Sequence, residues 1–152
     1  MAAIIKQGGV IAFRTDTFYG LGADPFNASA VARIRALKGR EDNKPILLLI
    51  SDLDQIERVI TERSPDFMRL AAKFWPGPLT IVGKATTDLP EGVTAGTGTV
   101  GVRLPAAASV RDLVRECGGV LTATSANPAG RAPARSAQTV RSYFPEGIDL
   151  II

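Results

Sequence analysis

A cluster of three cations follows a predicted helix in the segment K-G-R-E-D-N-K, where they are Lys38, Arg40 and Lys44. A guanidinium can bind two phosphate oxygens at once, an ammonium group acts as a mobile point charge, and Gly39 keeps the backbone clear. The alternative is a solvated helix end, where cations interact favourably with the negative end of the helix dipole. The segment is therefore a candidate phosphate site, with that alternative open.

Hydroxyl groups and one carboxylate are concentrated in T-D-T-F-Y-G-L-G, residues 15–22, directly after an apolar run over residues 9–14. The pattern predicts a turn at a strand end, where glycines allow the backbone to approach a ligand closely. The alternative is a turn in which Asp16 and the threonines only bond to backbone groups. This segment alone does not decide between the two.

An arginine in T-V-G-V-R-L, residues 99–104, is predicted to lie on a strand face that points away from the core. If Val100 and Val102 face the core, alternation along the strand puts Thr99 and Arg103 on the opposite face. That place is unusual for an arginine unless an anion binds there, and a substrate carboxylate would suit it. The alternative is an ion pair with an Asp or Glu at the edge of the core.

A positively charged surface is predicted near T-A-T-S-A-N-P-A-G-R, residues 122–131, which also follows an apolar strand. Residues 117–145 contain Arg131, Arg135 and Arg141 but no acidic side chain. RNA could bind such a surface. Because few aromatic residues are interleaved with these arginines, an ordinary solvent-facing loop is the alternative.

The composition excludes several kinds of chemistry. The 152 residues include no histidine and one cysteine, Cys117, which excludes Ser-His-Asp and Cys-His hydrolases, histidine-bound zinc sites and an intramolecular disulfide. Lys, Arg, hydroxyls, carboxylates and backbone amides remain. A net charge of +3 favours an anionic ligand. No targeting segment is recognised, so a cytoplasmic protein without a membrane segment is expected.

Alternating strands and helices predict one α/β or α+β domain, with helices covering one or both faces of a twisted sheet. Apolar runs predict strands at 9–14, 46–50, 79–82, 99–104 and 120–124. Helices are predicted to begin at Asn27, Asp52, Ser64, Ser109 and Ser136. Residues 86–98 read as a flexible connection. The polar clusters lie at strand ends, where open α/β sheets gather their ligands.

Five ordered motifs together resemble the YrdC-like threonylcarbamoyl-AMP synthase family. They are T-D-T-F-Y-G-L-G at 15–22, K-G-R-E-D-N-K-P at 38–45, W-P-G-P-L-T at 75–80, V-G-V-R-L-P at 100–105 and T-S-A-N-P-A-G at 124–130. The resemblance covers essentially the whole chain as one domain, 1–152. It implies a twisted, mostly open mixed sheet with flanking helices around a positively charged cavity. The implied reaction converts L-threonine, bicarbonate and ATP into threonylcarbamoyl-adenylate and pyrophosphate, for modification of tRNA.

The resemblance also implies roles for individual residues. Threonine-binding roles pass to Thr17 and Arg103, with Arg103 meeting the substrate carboxylate. ATP contacts are implied for five residues in or next to these motifs: Arg40, Lys44, Thr99, Ser125 and Asn127. Lys38 and Arg40 are predicted catalytic residues that stabilise the leaving charge, and Thr15 and Tyr19 are predicted to form the pocket wall. No metal ligand is predicted in the protein, and Mg²⁺ is expected to be held chiefly by ATP and water.

Departures from the family pattern leave other functions open. Arg14 replaces a usual proline, and Leu49 replaces a residue that is polar and faces threonine in some members. Family members usually continue past residues 148–152 into a Ser-Thr-Val segment, and the helix before the first strand is expected to be short. The main alternative is a non-catalytic module that binds tRNA or double-stranded RNA. A carbamoyl-adenylate-forming domain of hydrogenase maturation proteins is a second. For the synthase, hand-over to a threonylcarbamoyl transferase complex is expected.

Overall fold

The computed structural model describes residues 1–15, 18–39 and 44–152. Its eight strands are β1 (Ile11–Arg14), β2 (Tyr19–Gly22), β3 (Leu48–Ile50), β4 (Ile81–Lys84), β5 (Thr99–Arg103), β6 (Val120–Thr122), β7 (Thr124–Ser125) and β8 (Leu150–Ile151). Its helices are α1 (Ala2–Lys6), α2 (Ala28–Leu37), α3 (Pro65–Phe74), α4 (Glu91–Thr94), α5 (Ala108–Glu116) and α6 (Ala137–Tyr143). The α/β class predicted from the sequence is confirmed, and the strands divide between two four-stranded mixed sheets.

The first sheet has the order β7-β2-β1-β8 and contains a hairpin that the sequence analysis did not expect. Residues 15–22 were predicted to be a turn, yet Tyr19–Gly22 pairs antiparallel with β1, from Arg14 opposite Tyr19 to Ile11 opposite Gly22. A Cβ on Gly22 would lie 2.8 Å from Cε1 of Phe13 and 2.9 Å from Cδ2 of Leu121. Gly22 therefore serves the packing of the strand and not the approach of a ligand.

The second sheet has the order β4-β5-β3-β6, with β3 and β5 parallel and the other pairs antiparallel. Along β5 the predicted alternation is confirmed, because Val100 and Val102 are fully buried while Thr99 and Arg103 are partly exposed. The face of β5 that carries Arg103 is thus the face away from the first core cluster.

The chain crosses from one sheet to the other at Ala123, so the single strand predicted over 120–124 is wrong. β6 belongs to the second sheet and β7 to the first. The buried Thr122 makes the crossing, because its N–H donates to the Ala23 carbonyl and its hydroxyl accepts from the Ala23 N–H. Local apolar character cannot reveal such a change of partner.

Three predicted helix starts are confirmed, since the side chains of Asn27, Ser64 and Ser136 each accept a hydrogen bond from the first turn of the helix that follows. The helix assigned to Ser109 begins one residue earlier, at Ala108, and Ala107 precedes it without a side-chain cap. None of the helices in the described parts of the chain has the length and apolar character needed to cross a membrane.

Two segments differ in kind from their predictions. After Asp52 the chain forms a 3₁₀ helix, Leu53–Arg58, and Ile60 then bridges to Ala85 beside the second sheet. The connection 86–98 contains α4 and buries Leu89 and Val93, so it is a packed segment. In both cases tertiary contacts of a few apolar side chains override the local pattern.

The hydrophobic core has two clusters on opposite faces of the second sheet. The first joins both sheets to α2 and α3 and contains Ile34, Leu48 and Val102. The second lies beneath α1 and α5 and contains Phe13, Leu49 and Leu121. Helix α5 packs on β3 and β6. The face of β5 away from the first cluster carries Thr99, Gly101 and Arg103, which are partly exposed.

Candidate functional site

A cavity of about 150 Å³ lies at the junction of the two sheets. Its lining comes from the β1–β2 hairpin, from the end of β5, and from the segment that crosses between the sheets. The lining residues are Thr15, Phe18, Tyr19, Gly20, Leu47, Arg103, Ala123, Thr124 and Ser125. Two larger hollows lie along α3. One, of about 360 Å³, is between α3 and β4, the other, of about 420 Å³, is lined by α3 alone, and Leu70 lines both. The junction cavity is the one that brings the predicted polar motifs together.

Arg103, at the end of β5, lines this cavity and has one side-chain N–H without an acceptor among the described residues. Its Nε is buried and has no hydrogen-bond partner within the described part of the chain. Nor does Arg103 form an ion pair among the residues that the structure describes, so the predicted alternative of a core-edge carboxylate is not found there. A buried guanidinium N–H without an acceptor carries a desolvation cost that an anionic ligand would remove. A carboxylate matches the planar donor group.

The structure places Thr15 and Tyr19 in the cavity wall, where the sequence analysis put them. The Thr15 hydroxyl donates to the Phe18 carbonyl at 2.7 Å, and the Thr15 N–H donates to the same oxygen at 2.9 Å. For Thr15 these two bonds agree with the backbone-bonding alternative, whereas Asp16 and Thr17 lie outside the described residues. Thr15 therefore shapes the wall with a hydroxyl already engaged by backbone.

Ser125 lies at the end of β7, opposite Gly20 of β2, and lines the cavity. Asn127 follows it in a loop in which the side-chain amide donates to the Arg131 carbonyl at 2.7 Å. The Oδ1 atom of Asn127 is buried and lacks a partner among the described residues. Ser125 and Asn127, two of the five predicted ATP-binding residues, thus come from one short segment at the edge of the first sheet.

Lys38 is placed differently from its prediction as a phosphate-stabilising cation. It caps the C-terminus of α2 and is only 2% exposed. Its Nζ donates to the carbonyl oxygens of Ser125, at 2.5 Å, and Asn127, at 3.1 Å. The alternative of a solvated helix end does not apply, because this helix end is buried against the Ser125 segment.

The remaining predicted site residues are not gathered in the cavity. Lys44 is exposed, Thr99 is half-buried with its hydroxyl 2.9 Å from that of Thr97, and neither lines the cavity. Thr17 and Arg40 lie outside the described residues, so their roles stay predictions. Gly101 lies between Thr99 and Arg103 on the same face of β5, and a Cβ there would lie 3.0 Å from Cγ2 of Thr80, so side chains cover part of this face.

Sequence reasoning missed Phe18, Leu47 and Thr124 as lining residues. Phe18 also carries the guanidinium of Arg135, whose carbon lies 5.1 Å from the ring centre. The acid-free stretch 117–145 signalled positive charge but not its position, since the approach of Arg135 to Phe18 depends on the tertiary fold. A cation–π contact of this kind keeps positive charge beside the cavity.

Two residues singled out in the sequence lie apart from the cavity lining. Leu49 is fully buried in the second core cluster, so it does not replace a substrate-facing polar group here. Cys117 is buried at the end of α5, and burial, aided by the nearby Glu116, raises the pKa of its thiol to about 11. Cys117 therefore packs as a small hydrophobic residue and not as a reactive thiolate.

Comparison with known proteins gives the same assignment as the five motifs. A family profile described as Telomere recombination (Sua5_yciO_yrdC) matches residues 3–152. The threonylcarbamoyl-AMP synthase of Halorhodospira halophila is 41% identical over 151 residues, 99% of this chain and 79% of that protein. The synthase of Pyrococcus abyssi is 37% identical over 99% of this chain, which spans 44% of that protein's length.

Solved structures agree with the sequence relatives. Pyrococcus abyssi Sua5 complexed with L-threonine matches with a TM-score of 0.93 at 37% identity, over 99% of this chain and 44% of that one. Full-length HypF in the phosphate- and nucleotide-bound form has a TM-score of 0.84 at 21% identity, over 99% of this chain and 24% of that one, which shows a shared fold alone. These relatives favour the synthase over the RNA-binding module, and the resemblance read from the motifs is confirmed. The chain belongs to the Sua5/YciO/YrdC family.

Proposed function

We propose that this chain catalyses the synthesis of threonylcarbamoyl-AMP from L-threonine, bicarbonate and ATP, as the names of its relatives indicate. The observation that carries the proposal is the buried, unpaired Nε of Arg103 in the cavity between the sheets. At about 150 Å³ the cavity is smaller than the roughly 300–1,000 Å³ typical of pockets for drug-sized ligands. It suits an amino acid, and ATP would extend out of the cavity past Ser125.

In this proposal Arg103 binds the carboxylate of threonine and so directs the amine towards the nucleotide. The amine combines with bicarbonate to form a carbamate and water. A carbamate oxygen then attacks the α-phosphorus of ATP, the bond from that phosphorus to the bridging oxygen breaks, and pyrophosphate leaves with the bonding electrons. Such a transfer depends on positioning and charge neutralisation, so the absence of histidine from the sequence is no obstacle.

Arg40 and Lys44 are the residues that we propose to bind the triphosphate. Both follow α2 in the sequence, and Lys44 is exposed and able to reach a ligand. Ser125 and Asn127 would contact the nucleotide from the opposite side, because the segment that carries them borders the cavity. The bound ATP would thus bridge two segments that are distant in sequence.

Magnesium is proposed to accompany ATP and to neutralise charge at the phosphate oxygens when bound. The described residues contain no group of three or more His, Cys, Asp or Glu side chains able to form a protein cage. Thr124 and Ser125 bring hydroxyl oxygens to the cavity lining, which suit water-mediated contact with a hard cation. In this proposal the described residues orient the phosphates.

RNA binding is a second candidate function, and it is favoured by the arginines near the cavity. Arg135 packs on Phe18, and Arg131 packs on Tyr143 with its guanidinium carbon 5.8 Å from the ring centre. Direct contact with tRNA or double-stranded RNA would use this surface. For the synthase, tRNA is the eventual acceptor of the threonylcarbamoyl group, through the proposed transferase complex. The cytoplasmic location stays a prediction.

Pyrophosphate release tests the synthase directly. The protein is incubated with ATP, bicarbonate and L-threonine, and mass spectrometry follows the adenylate. We expect both products, and neither when threonine is omitted. Binding of double-stranded RNA at low and moderate salt is measured in parallel. Salt-sensitive RNA binding together with no threonine-dependent pyrophosphate would contradict the synthase and support the RNA-binding module.

A further inference from the structure

The buried ammonium group of Lys38 joins two segments that are far apart in the sequence. Its Nζ donates to the Ser125 and Asn127 carbonyls, and it lies 3.4 Å from the Ser125 hydroxyl. The backbone adds a further bond, since the Lys38 carbonyl accepts from the N–H of Ala129 at 3.0 Å. One residue at the end of α2 therefore bonds to the loop after β7 through both its side chain and its main chain.

These contacts leave Lys38 poorly placed to bind phosphate. A lysine ammonium has three N–H donors, and here two of them bond to carbonyl oxygens while the Lys38 side chain is almost fully buried. Moving Nζ to an ATP phosphate would break both bonds, which are stronger than bonds between neutral groups because the donor is charged. Lys44, six residues further along the chain and exposed, has no such restriction.

The segment that Lys38 contacts is the one that forms the nucleotide side of the cavity. Ser125 lines the cavity, and the next residue, Ala126, donates its N–H to the Tyr19 carbonyl at 2.8 Å. Tyr19 also lines the cavity and belongs to the neighbouring strand β2. A displacement of the Ser125 segment would therefore reach both the predicted nucleotide contacts and the wall of the threonine cavity.

We propose that Lys38 is a positioning residue, which fixes the Ser125 segment against α2 and does not itself bind the triphosphate. It thereby holds the end of α2 beside the cavity that receives threonine. This role replaces the catalytic role expected from the sequence. The predicted effect on ligands rests on the proposed function, whereas the contacts themselves can be tested in the protein without ligands.

The first test uses the ligand-free wild-type protein, labelled with ¹⁵N in its lysine side chains. A buried ammonium bonded to two carbonyls exchanges its protons slowly with water, so one lysine Nζ signal should be observed, and it should be absent from Lys38→Met. An Nζ of Lys38 that exchanges as fast as those of exposed lysines would overturn the proposal. This measurement holds even if Lys38→Met does not fold, because fast exchange in the wild type decides the matter.

The second test compares Lys38→Met with the matched variant Lys44→Met. In the ligand-free protein, Lys38→Met should accelerate hydrogen exchange at the Ala126 and Ala129 amides by at least about tenfold, or about 1.4 kcal/mol. It should weaken both threonine and ATP binding, whereas Lys44→Met weakens ATP binding alone and leaves both amides unchanged. Lys38→Arg should not restore binding, since a planar guanidinium does not reproduce the position of Nζ.

Two results would contradict the positioning role. One is loss of ATP binding alone in Lys38→Met, with unchanged amide exchange. The other is recovery of ATP binding in Lys38→Arg, which a direct phosphate contact would allow. If the wild type binds neither ATP nor threonine, the proposed function fails, while the exchange of the Ala126 and Ala129 amides still decides the role of Lys38.

Discussion

Leu49 and Arg103 lie opposite each other on neighbouring parallel strands, on the same face of the second sheet, yet their surroundings differ completely. Over Leu49 the face is covered by α5, and the side chain is fully buried among apolar neighbours. At Arg103 the face opens into the cavity, and the side chain is partly exposed with Nε unpaired. On one sheet face, the region around Leu49 thus stabilises the fold, while the region around Arg103 presents a hydrogen-bond donor that a ligand can use.

The largest effect is expected from removing the covered side chain. Leu49→Ala should lower the free energy of unfolding by about 2–5 kcal/mol, because the cavity left beneath α5 cannot close completely. Denaturant titration measures the loss. Affinity for threonine, measured on the folded fraction, should fall far less than in an Arg103 variant, because Leu49 does not line the cavity. A loss of stability below 1 kcal/mol would show that the covered region does not carry the stability assigned to it.

The opposite pattern is expected in the open region. Arg103→Met should weaken threonine binding by roughly 100-fold, about 3 kcal/mol, because the carboxylate loses a charged hydrogen-bonding partner. Unfolding free energy should be unchanged or higher, since the buried unpaired Nε is removed. Isothermal titration calorimetry and denaturant titration measure the two quantities.

Arg111→Met is the matched control for Arg103. Its guanidinium bonds to the carbonyls of Pro105 and Ala106, just beyond the same strand, and it does not line the cavity. Threonine affinity should be that of wild type in this variant. Equal losses in both variants would mean that net positive charge, and not the position of Arg103, governs binding.

A buried polar group on the other face of the second sheet, where Thr122 pairs with Leu48, should behave unlike Arg103, because it already has its partner. The Thr122 hydroxyl accepts from the Ala23 N–H at 2.8 Å, and both residues are fully buried. Thr122→Val should lower the unfolding free energy by about 1–3 kcal/mol by leaving that N–H without an acceptor. Thr122→Ser keeps the hydroxyl and should recover part of the loss. Denaturant titration measures both variants. Equal free energies of unfolding for Thr122→Val and Thr122→Ser would show that the hydroxyl does not stabilise the fold.

The smallest effect concerns Cys117, at the covered end of α5. Its pKa is raised from 9.0 to about 11, chiefly by burial, so the thiolate fraction at pH 8 should be roughly 100-fold lower than in an unfolded chain. Because the folded protein retains the thiol proton more strongly, this group's contribution to stability is complete below pH 9 and disappears as the pH rises through about 11. Iodoacetamide labelling against pH measures the thiolate fraction, and denaturant titration against pH measures the contribution to stability. Rapid labelling at pH 8 in the folded state would contradict the raised pKa.

Local patterns predicted those parts of the fold that depend on neighbours in the sequence. The caps at Asn27, Ser64 and Ser136 and the alternation along β5 needed only nearby residues, and they are confirmed. The division of residues 120–124 between two sheets was missed because it depends on pairing with strands far away in the chain. The hairpin at Tyr19–Gly22 was missed because two glycines resemble a turn until Phe13 and Leu121 occupy the space beside Gly22.

By itself the sequence determined the family, the absence of histidine chemistry and the residue types able to bind a carboxylate and phosphates. Motif order and composition suffice for these, because they do not depend on distances. Only the tertiary structure decided that Arg103 keeps an unpaired buried Nε and that Lys38 bonds to backbone carbonyls. Both are cations in family motifs, and what separates them is the set of acceptors that folding brings within hydrogen-bond distance of each.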